Sequence, residues 1–229
     1  MNKFLFIIIA LVVFSSNLLS QTLGGTSIIG FPQNEFSKNV NNEAFGGIEG
    51  QITLTTPSKE NPFTVGLNLG LIIYGLESRR VPLSTTIPDI IVDVERQNSM
   101  VNFHLLFQIS PFEGQVKPYL EGVAGGAYLF TETRVEGSGN IYEFASTVNQ
   151  DDWAWSYGLG GGILISLMES SENLTGGLFL DLKSRFMLGS EAEYLTTGDL
   201  RVENGNLIYQ TKKSSVEYFS IQIGVVAGF

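Results

Sequence analysis

The sequence predicts an all-β protein, an eight-stranded antiparallel up-and-down transmembrane β-barrel, and three observations predict it. Eight segments alternate apolar and polar residues with period two, the spacing of side chains on a strand. One face of these segments is apolar and the other is small or polar, as in a barrel that has lipid outside and a crowded interior. The connections between the segments alternate between long and short.

Residues 1–20 predict a secretory signal peptide. Lys3 precedes an apolar run from Phe4 to Phe14, and a polar tail follows the run. The run is shorter than the roughly 20 residues that a spanning helix needs, which disfavours the alternative of a membrane anchor. We therefore expect cleavage near Ser20 and a barrel formed by residues 21–229.

In the first half of the barrel, the sequence pattern predicts four strands, at residues 23–31, 45–55, 63–74 and 99–109. The first is weakly defined and ends before Pro32, which a polar segment follows. The link over residues 77–97 alternates in part, so we expect it to extend a hairpin above the membrane.

The second half predicts strands at residues 118–135, 153–167, 176–188 and 216–229, of which the last alternates most regularly. Residues 137–150 predict a polar loop. The final link, residues 189–215, contains Asn204-Gly205, a dipeptide that favours a hairpin tip. Ten strands would result if the hairpin at residues 200–209 entered the membrane, and eight if it does not.

The lengths of the connections predict an orientation. With both chain ends on the periplasmic side, every short turn is periplasmic and every long loop is extracellular, as in outer-membrane barrels. The register of the seventh strand agrees, because a slip by one residue would turn Asp181, Lys183 and Arg185 into lipid. Each basic residue would then cost roughly 2–4 kcal/mol near the midplane.

These features resemble the small outer-membrane β-barrel family, of the type formed by the OmpA transmembrane domain, OmpX and OmpW. The resemblance covers roughly residues 23–229 and rests on the segments 118–122 and 158–162 and on the closing strand. It implies a place in the outer membrane of a Gram-negative cell, with outer-membrane lipid as a partner. It also implies that the barrel assembly machinery reads Tyr218, Phe219 and Phe229 as an assembly signal.

Composition excludes several kinds of site. The chain has 13 basic and 23 acidic residues and a formal charge of −10, which argues against nucleic acid as a partner. It has no cysteine, so it has neither a disulfide framework nor a thiolate metal site. The glycines at 158–162 lack the Gly-Lys-Ser/Thr of a phosphate loop. We expect no cofactor and no metal.

The inward charges predict a network that fills the barrel. An eight-stranded barrel is about wide enough for its own side chains, and an unpaired buried charge is costly. We therefore expect Lys183 or Arg185 to pair with Glu49 or Glu121; a gated pore or a proton path is the alternative. The predicted network comprises Glu49, His104, Glu121, Asp181, Lys183 and Arg185.

His104 is the one histidine of the chain and lies on an inward position, so we predict neither a metal site nor an enzyme. Large aromatic residues predict a girdle at the lipid interface, with a carbohydrate-binding platform as the alternative. The girdle comprises Tyr128, Phe130, Trp153, Trp155, Tyr157 and Phe219. The glycines of the fifth and sixth strands predict either a cavity for an apolar ligand or room for large side chains opposite them.

We predict a structural or adhesive role, or a role in an envelope complex, through the extracellular loops. Residues 189–215 are the candidate contact with an unidentified surface or envelope protein. A narrow channel or carrier for small hydrophobic molecules is the alternative, and a lipid-modifying enzyme is less favoured.

Overall fold

The computed structural model describes residues 21–55, 62–84, 87–137, 143–168, 176–203 and 206–229. The expected signal peptide lies outside this part of the chain. None of the helices formed by the described residues is long and apolar enough to cross a membrane.

Eight antiparallel strands close into one barrel in the order β1-β2-β3-β4-β5-β6-β7-β12, with β12 paired back to β1. The predicted fold class is therefore confirmed. The barrel strands are β1 (Thr22–Pro32), β2 (Phe45–Thr53), β3 (Phe63–Ser84), β4 (Ile87–Ile109), β5 (Val116–Gly137), β6 (Glu143–Met168), β7 (Gly177–Gly189) and β12 (Tyr218–Gly228).

Four short strands lie outside the barrel as two small sheets. β8 (Glu191–Tyr194) pairs with β11 (Lys212–Ser215), and β9 (Leu200–Glu203) pairs with β10 (Asn206–Tyr209). Strands of four residues are too short to span a bilayer, which takes about 9–11 residues. The ten-strand alternative is wrong for this reason. The predicted hairpin tip, Asn204-Gly205, lies outside the described residues.

Alternation along the strands agrees with the predicted faces. In β1, every second residue from Thr22 is buried and the residues between are exposed. The outward residues form an apolar belt around the barrel, which would be unstable in water and is the surface expected against lipid. The belt includes Leu23, Ile48, Leu69, Phe103, Leu120, Leu159, Phe186 and Ile223.

Two hairpins extend well above the belt. β3 and β4 pair up to Ser84 and Ile87, which confirms the expected extension of the link at 77–97. The polar loop predicted at 137–150 is wrong over most of its length, because β5 continues to Gly137 and β6 begins at Glu143. β4 also pairs with β5 in this region, so backbone hydrogen bonds continue where polar side chains can face water. We call this four-stranded extension the outer sheet.

The polar segment after β1 contains a short helix that the sequence did not predict, α1 (Asn34–Asn39), whose Phe36 is fully buried. At the opposite end, the backbone of Gln21 exchanges hydrogen bonds of 3.2 and 2.8 Å with that of Phe229. The two ends of the described chain thus meet on the side of the short turns, which is the periplasmic side in the predicted orientation.

Candidate functional site

The barrel interior consists of three layers along its axis, because inward residues at the same height on different strands face one another. A group of aromatic and aliphatic side chains closes the extracellular end. A layer of charged side chains occupies the middle, formed by Glu49, Glu121, Asp181, Lys183, Arg185 and His104; we call it the ionic layer. Tyr119, Leu164, Phe179 and Val226 pack at the periplasmic end.

Arg185 of β7 connects two strands across the interior. Its Nη1 donates to Oε2 of Glu49 on β2 at 2.8 Å, and its Nε donates to Oε1 of Glu121 on β5 at 2.8 Å. Nη2 lies 2.7 Å from the same Glu121 oxygen. The side chain is 2% exposed, so these charge-assisted bonds act with little screening by solvent.

Lys183, one inward step nearer the periplasm, completes the pairing of Glu49. Its Nζ donates to Oε1 of Glu49 at 3.1 Å and to Oε1 of Gln51 at 2.9 Å. Asp181 lies at the edge of this arrangement: Oδ1 accepts a 2.6 Å hydrogen bond from the hydroxyl of Tyr119, and Oδ2 is 3.7 Å from Nζ of Lys183. The pairs expected from the sequence are thus within contact distance.

His104 occupies the same layer but takes no part in its hydrogen bonds. Its residue exposure is 1%, and neither ring nitrogen has a hydrogen-bond partner among the described residues. The described part of the chain also holds no group of three or more His, Cys, Asp or Glu side chains that could bind a metal ion.

The extracellular end is closed by an aromatic cap, formed by Phe36, Phe45, Tyr74, Tyr194 and Tyr218. The ring of Phe36 lies edge-on to those of Tyr194, Tyr74 and Phe45 at 5.4, 5.8 and 6.3 Å. Phe45 in turn contacts Tyr218 at 5.4 Å. Edge-to-face contacts at these distances are favourable, so the five rings stabilise one another.

Loops from several sides hold the cap in place. Nδ2 of Asn39 on α1 donates to the Tyr194 hydroxyl at 2.9 Å, and that hydroxyl lies 2.6 Å from Oγ of Ser214. Burial raises the pKa of Tyr194, so its hydroxyl is neutral at physiological pH. Because Tyr194 lies on β8 and Ser214 on β11, these hydrogen bonds connect the two-stranded sheet of β8 and β11 to α1.

A second tie joins the cap to the outer sheet. Nη2 of Arg96 on β4 donates to the carbonyl of Thr196 at 2.7 Å and to Oε2 of Glu77 at 2.8 Å. On the other side, the backbone amide of Glu193 donates to Oδ2 of Asp152 on β6 at 2.7 Å. The segment from β8 to β11 is therefore fastened across the mouth of the barrel.

The aromatic cap is not among the sites predicted from the sequence. Phe45, Tyr74 and Tyr218 lie on inward positions near the extracellular ends of the strands predicted from the sequence, and this signal could have found them. Phe36 and Tyr194 carry no such signal, because they reach the interior only when two loops fold over the mouth.

The predicted girdle residues face outward at the extracellular edge of the belt. Tyr128 and Phe130 stack at 5.7 Å on β5, beside Trp153, Trp155 and Tyr157 on β6. Phe219 lies two strands away on β12, paired with Phe31 and Phe186. These positions suit an interfacial girdle, which stays a prediction, with a carbohydrate-binding platform as the alternative.

The glycines of β5 and β6 make room for large side chains. A Cβ at Gly126 would overlap the indole of Trp153, and one at Gly162 would lie 2.7 Å from the ring of Tyr119. The space beside these two glycines is therefore occupied by protein.

A hollow inside the barrel and a groove on its outer wall bear on the binding of a solute or ligand. One of about 10 Å³ lies at the periplasmic end of the interior, which is room for about one water molecule. Its lining includes Gln51, Gln108, Lys117 and Phe179. The other is a groove of about 930 Å³ in the lipid-facing wall of β1 to β4 and β12, where Gly25 and Gly50 face outward.

The predicted assembly residues have different surroundings. Phe229 and Phe219 face outward, whereas Tyr218 is buried in the aromatic cap, where its hydroxyl accepts a 3.0 Å hydrogen bond from Nδ2 of Asn102. Tyr218 thus has a packing role in the folded barrel. Recognition by the assembly machinery stays a prediction.

No protein-family model and no curated protein matches the chain. Among solved structures, it is similar to Neisserial surface protein A, with 9% identity, a TM-score of 0.44, and coverage of 91% of this chain and 97% of that chain. A major outer membrane protein from Thermus thermophilus matches with 13% identity, a TM-score of 0.42 and coverage of 91% and 99%. Ail, the attachment invasion locus protein of Yersinia pestis, matches with 11% identity, a TM-score of 0.38 and coverage of 92% and 97%.

The closed barrel, its apolar belt and its polar interior define the class of the protein. A barrel has no unpaired strand edge within the bilayer, so every spanning strand has both neighbours. The protein is an outer-membrane β-barrel, as the sequence predicts.

Proposed function

We propose that this outer-membrane barrel has a plugged lumen and acts through its extracellular part, in a structural or adhesive role or as a subunit of an envelope complex. The aromatic cap is the observation that carries this proposal. Its rings contact one another and fill the mouth of the barrel. The helix α1 and the two-stranded sheet of β8 and β11 cover it. A solute that entered from outside would have to displace the cap.

The ionic layer supports the plug. Arg185 spans the interior from Glu49 to Glu121, so an ion moving along the axis would have to break these bonds. The hollow at the periplasmic end holds about one water molecule, which is too little for a hydrated ion. Both halves of the interior therefore oppose conduction.

The outer sheet supports a role in contact with other molecules. It stands beyond the apolar belt, and its residues Arg79, Arg80 and Val148 are exposed. The segment at 189–215, by contrast, is fastened over the mouth by Tyr194, Thr196 and Glu193. We therefore place the contact surface on the outer sheet in addition to this segment.

Crosslinking in whole cells tests the contact surface. A photoreactive residue is placed at Arg80 or Val148 in the outer sheet, and at Leu159, which is 76% exposed in the apolar belt, as the matched control. We expect a recurrent protein adduct from the outer sheet and lipid adducts from position 159. Lipid alone from all three positions would overturn the contact role.

A carrier for small hydrophobic molecules is the second candidate, favoured by the groove on the lipid-facing wall. Gly50 lies in the groove, and a Cβ there would meet only the carbonyl of Gly24 at 4.0 Å. A Gly50→Leu variant would therefore place a side chain in the groove without a clash in the barrel wall. If the protein carries such molecules, uptake of an apolar dye into proteoliposomes falls in this variant and persists in Leu159→Val.

We propose that the protein does not act as an enzyme. His104 is buried inside the barrel, where it cannot touch a lipid at the outer surface. Overexpression should leave the mass spectrum of lipid A unchanged, and a new lipid A species that depends on His104 would contradict this.

A further inference from the structure

The ionic layer has one more acidic than basic group. Among the residues that the structure describes, Glu49, Glu121 and Asp181 face two cations, Lys183 and Arg185, and all five side chains are buried. A buried net charge is costly in a low-dielectric interior, so a layer of this kind gains from one further positive charge.

The three carboxyl groups are not equally paired. Glu49 receives bonds from both cations, and Glu121 receives two nitrogens of Arg185. No cation of the described part of the chain lies within hydrogen-bond distance of Asp181, because Nζ of Lys183 is 3.7 Å from its Oδ2 and is bonded to Glu49 and Gln51 instead. Its Oδ2 has no hydrogen-bond partner among the described residues.

We propose that the ionic layer is a proton-binding site and that the carboxyl group of Asp181 holds the proton in the folded barrel. The proton on Oδ2 makes the layer neutral, while Oδ1 keeps its bond from the Tyr119 hydroxyl at 2.6 Å. The small hollow at the periplasmic end is lined by Gln51, which also bonds Lys183. This hollow has room for about one water molecule beside Gln51, on the periplasmic side of the layer.

The groups around Asp181 favour this assignment over the alternatives. Lys117 lies over the ring of Phe179 at 4.8 Å, and no described ion pair joins it to the layer. His104 is the competing proton acceptor. The titratable and charged groups that face this part of the interior are Glu49 on β2, His104 on β4, Lys117, Tyr119 and Glu121 on β5, Lys183 and Arg185 on β7, and Tyr218 on β12.

A proton bound in the folded barrel but released on unfolding makes stability fall as pH rises above the ordinary range of an aspartate. For one proton, the unfolding equilibrium constant rises by about tenfold per pH unit until the folded barrel also releases it. The test is urea unfolding of the full chain in lipid vesicles between pH 5 and 8, comparing the wild type with Asp181→Asn and His104→Gln. Asparagine keeps the size and the acceptor oxygen of Asp181 but cannot titrate.

We expect Asp181→Asn to lose this pH dependence, to differ least from the wild type at pH 5 and to be more stable than it by a margin that grows towards pH 8. His104→Gln should keep the wild-type dependence. Loss of the dependence in His104→Gln, or the same dependence in all three proteins, would overturn the assignment.

A spectroscopic measurement separates the proton from general effects on folding. The infrared carbonyl band of a protonated carboxylic acid should appear in the folded wild type at pH 7 and be absent from Asp181→Asn. Because the chain has one histidine, ¹⁵N NMR reports the protonation of His104 without overlap. A protonated imidazole at pH 7, with no carboxylic acid band, would contradict the proposal.

Discussion

The ionic layer and the aromatic cap fill the same barrel by different means. The ionic layer is built from inward positions of four barrel strands, β2, β4, β5 and β7, and its groups meet because the strand register fixes their heights. The aromatic cap depends on loops, since Phe36 comes from α1 and Tyr194 from β8. In this barrel, strand pairing alone brings the interior charged residues together. The aromatic rings at the mouth come together only when the loops fold over it.

Disrupting the ionic layer should cause the largest loss of folding stability. Arg185→Ala leaves the carboxylates of Glu49 and Glu121 buried without their shared cation, and breaking a buried ion pair in this way costs about 3–5 kcal/mol. Urea unfolding in lipid vesicles measures the loss. Arg80→Ala is the control, because Arg80 is 79% exposed and its bridge to Asp93 contributes about 0–1 kcal/mol. Equal losses in the two variants would remove the distinction between a buried and an exposed pair.

Disrupting the aromatic cap should cost somewhat less free energy, because the cap can open while the barrel strands stay folded. Phe36→Ala removes the ring that joins Tyr74, Tyr194 and Phe45, and we expect a loss of about 3 kcal/mol in the free energy of cap opening. Amide hydrogen exchange should quicken in β8 and β11 and remain slow in β7. Faster exchange throughout the barrel would show that the cap and the barrel unfold as one unit.

Removing one hydrogen bond that holds the aromatic cap should have a smaller effect on stability. Asn39→Ala removes the hydrogen bond to the Tyr194 hydroxyl, which we expect to cost about 1 kcal/mol. The measurement is the rate of proteolysis between β8 and β11, with Lys38→Ala, an exposed residue of the same helix, as the control. Identical rates in the two variants would mean that the packing of rings holds the cap without this bond.

The smallest effect is expected in the outer sheet. Hydrogen bonds from Arg134 and Ser146 lower the pKa of Glu132. Its contribution to folding stability is therefore present at pH values above the ordinary pKa of a glutamate and is lost as the pH falls. The group is largely screened by water, and Glu132→Gln should change stability by less than about 0.5 kcal/mol. An NMR titration at low and high salt checks the lowered pKa; a value unaffected by salt would contradict screening.

Much of the barrel could be predicted from the sequence because strand periodicity is local. The outward positions of Ile48, Phe103 and Ile223 follow from alternation alone. The ends of β5 and β6 could not be found in this way, since the residues there are polar on both faces and are held by pairing with neighbouring strands. The pairing of Arg185 with Glu121 could be expected from inward register and charge. The position of Phe36 could not, because it depends on where a loop folds back.

Single-channel recording tests the central claim most directly. Purified full-length protein is inserted into a planar bilayer at neutral pH, and current is measured for the wild type and for Phe36→Ala. We predict no conductance steps from the wild type, because the aromatic cap and the ionic layer both obstruct the lumen. Phe36→Ala should also be silent, because the ionic layer remains. Stable open steps from the wild type would contradict a plugged barrel.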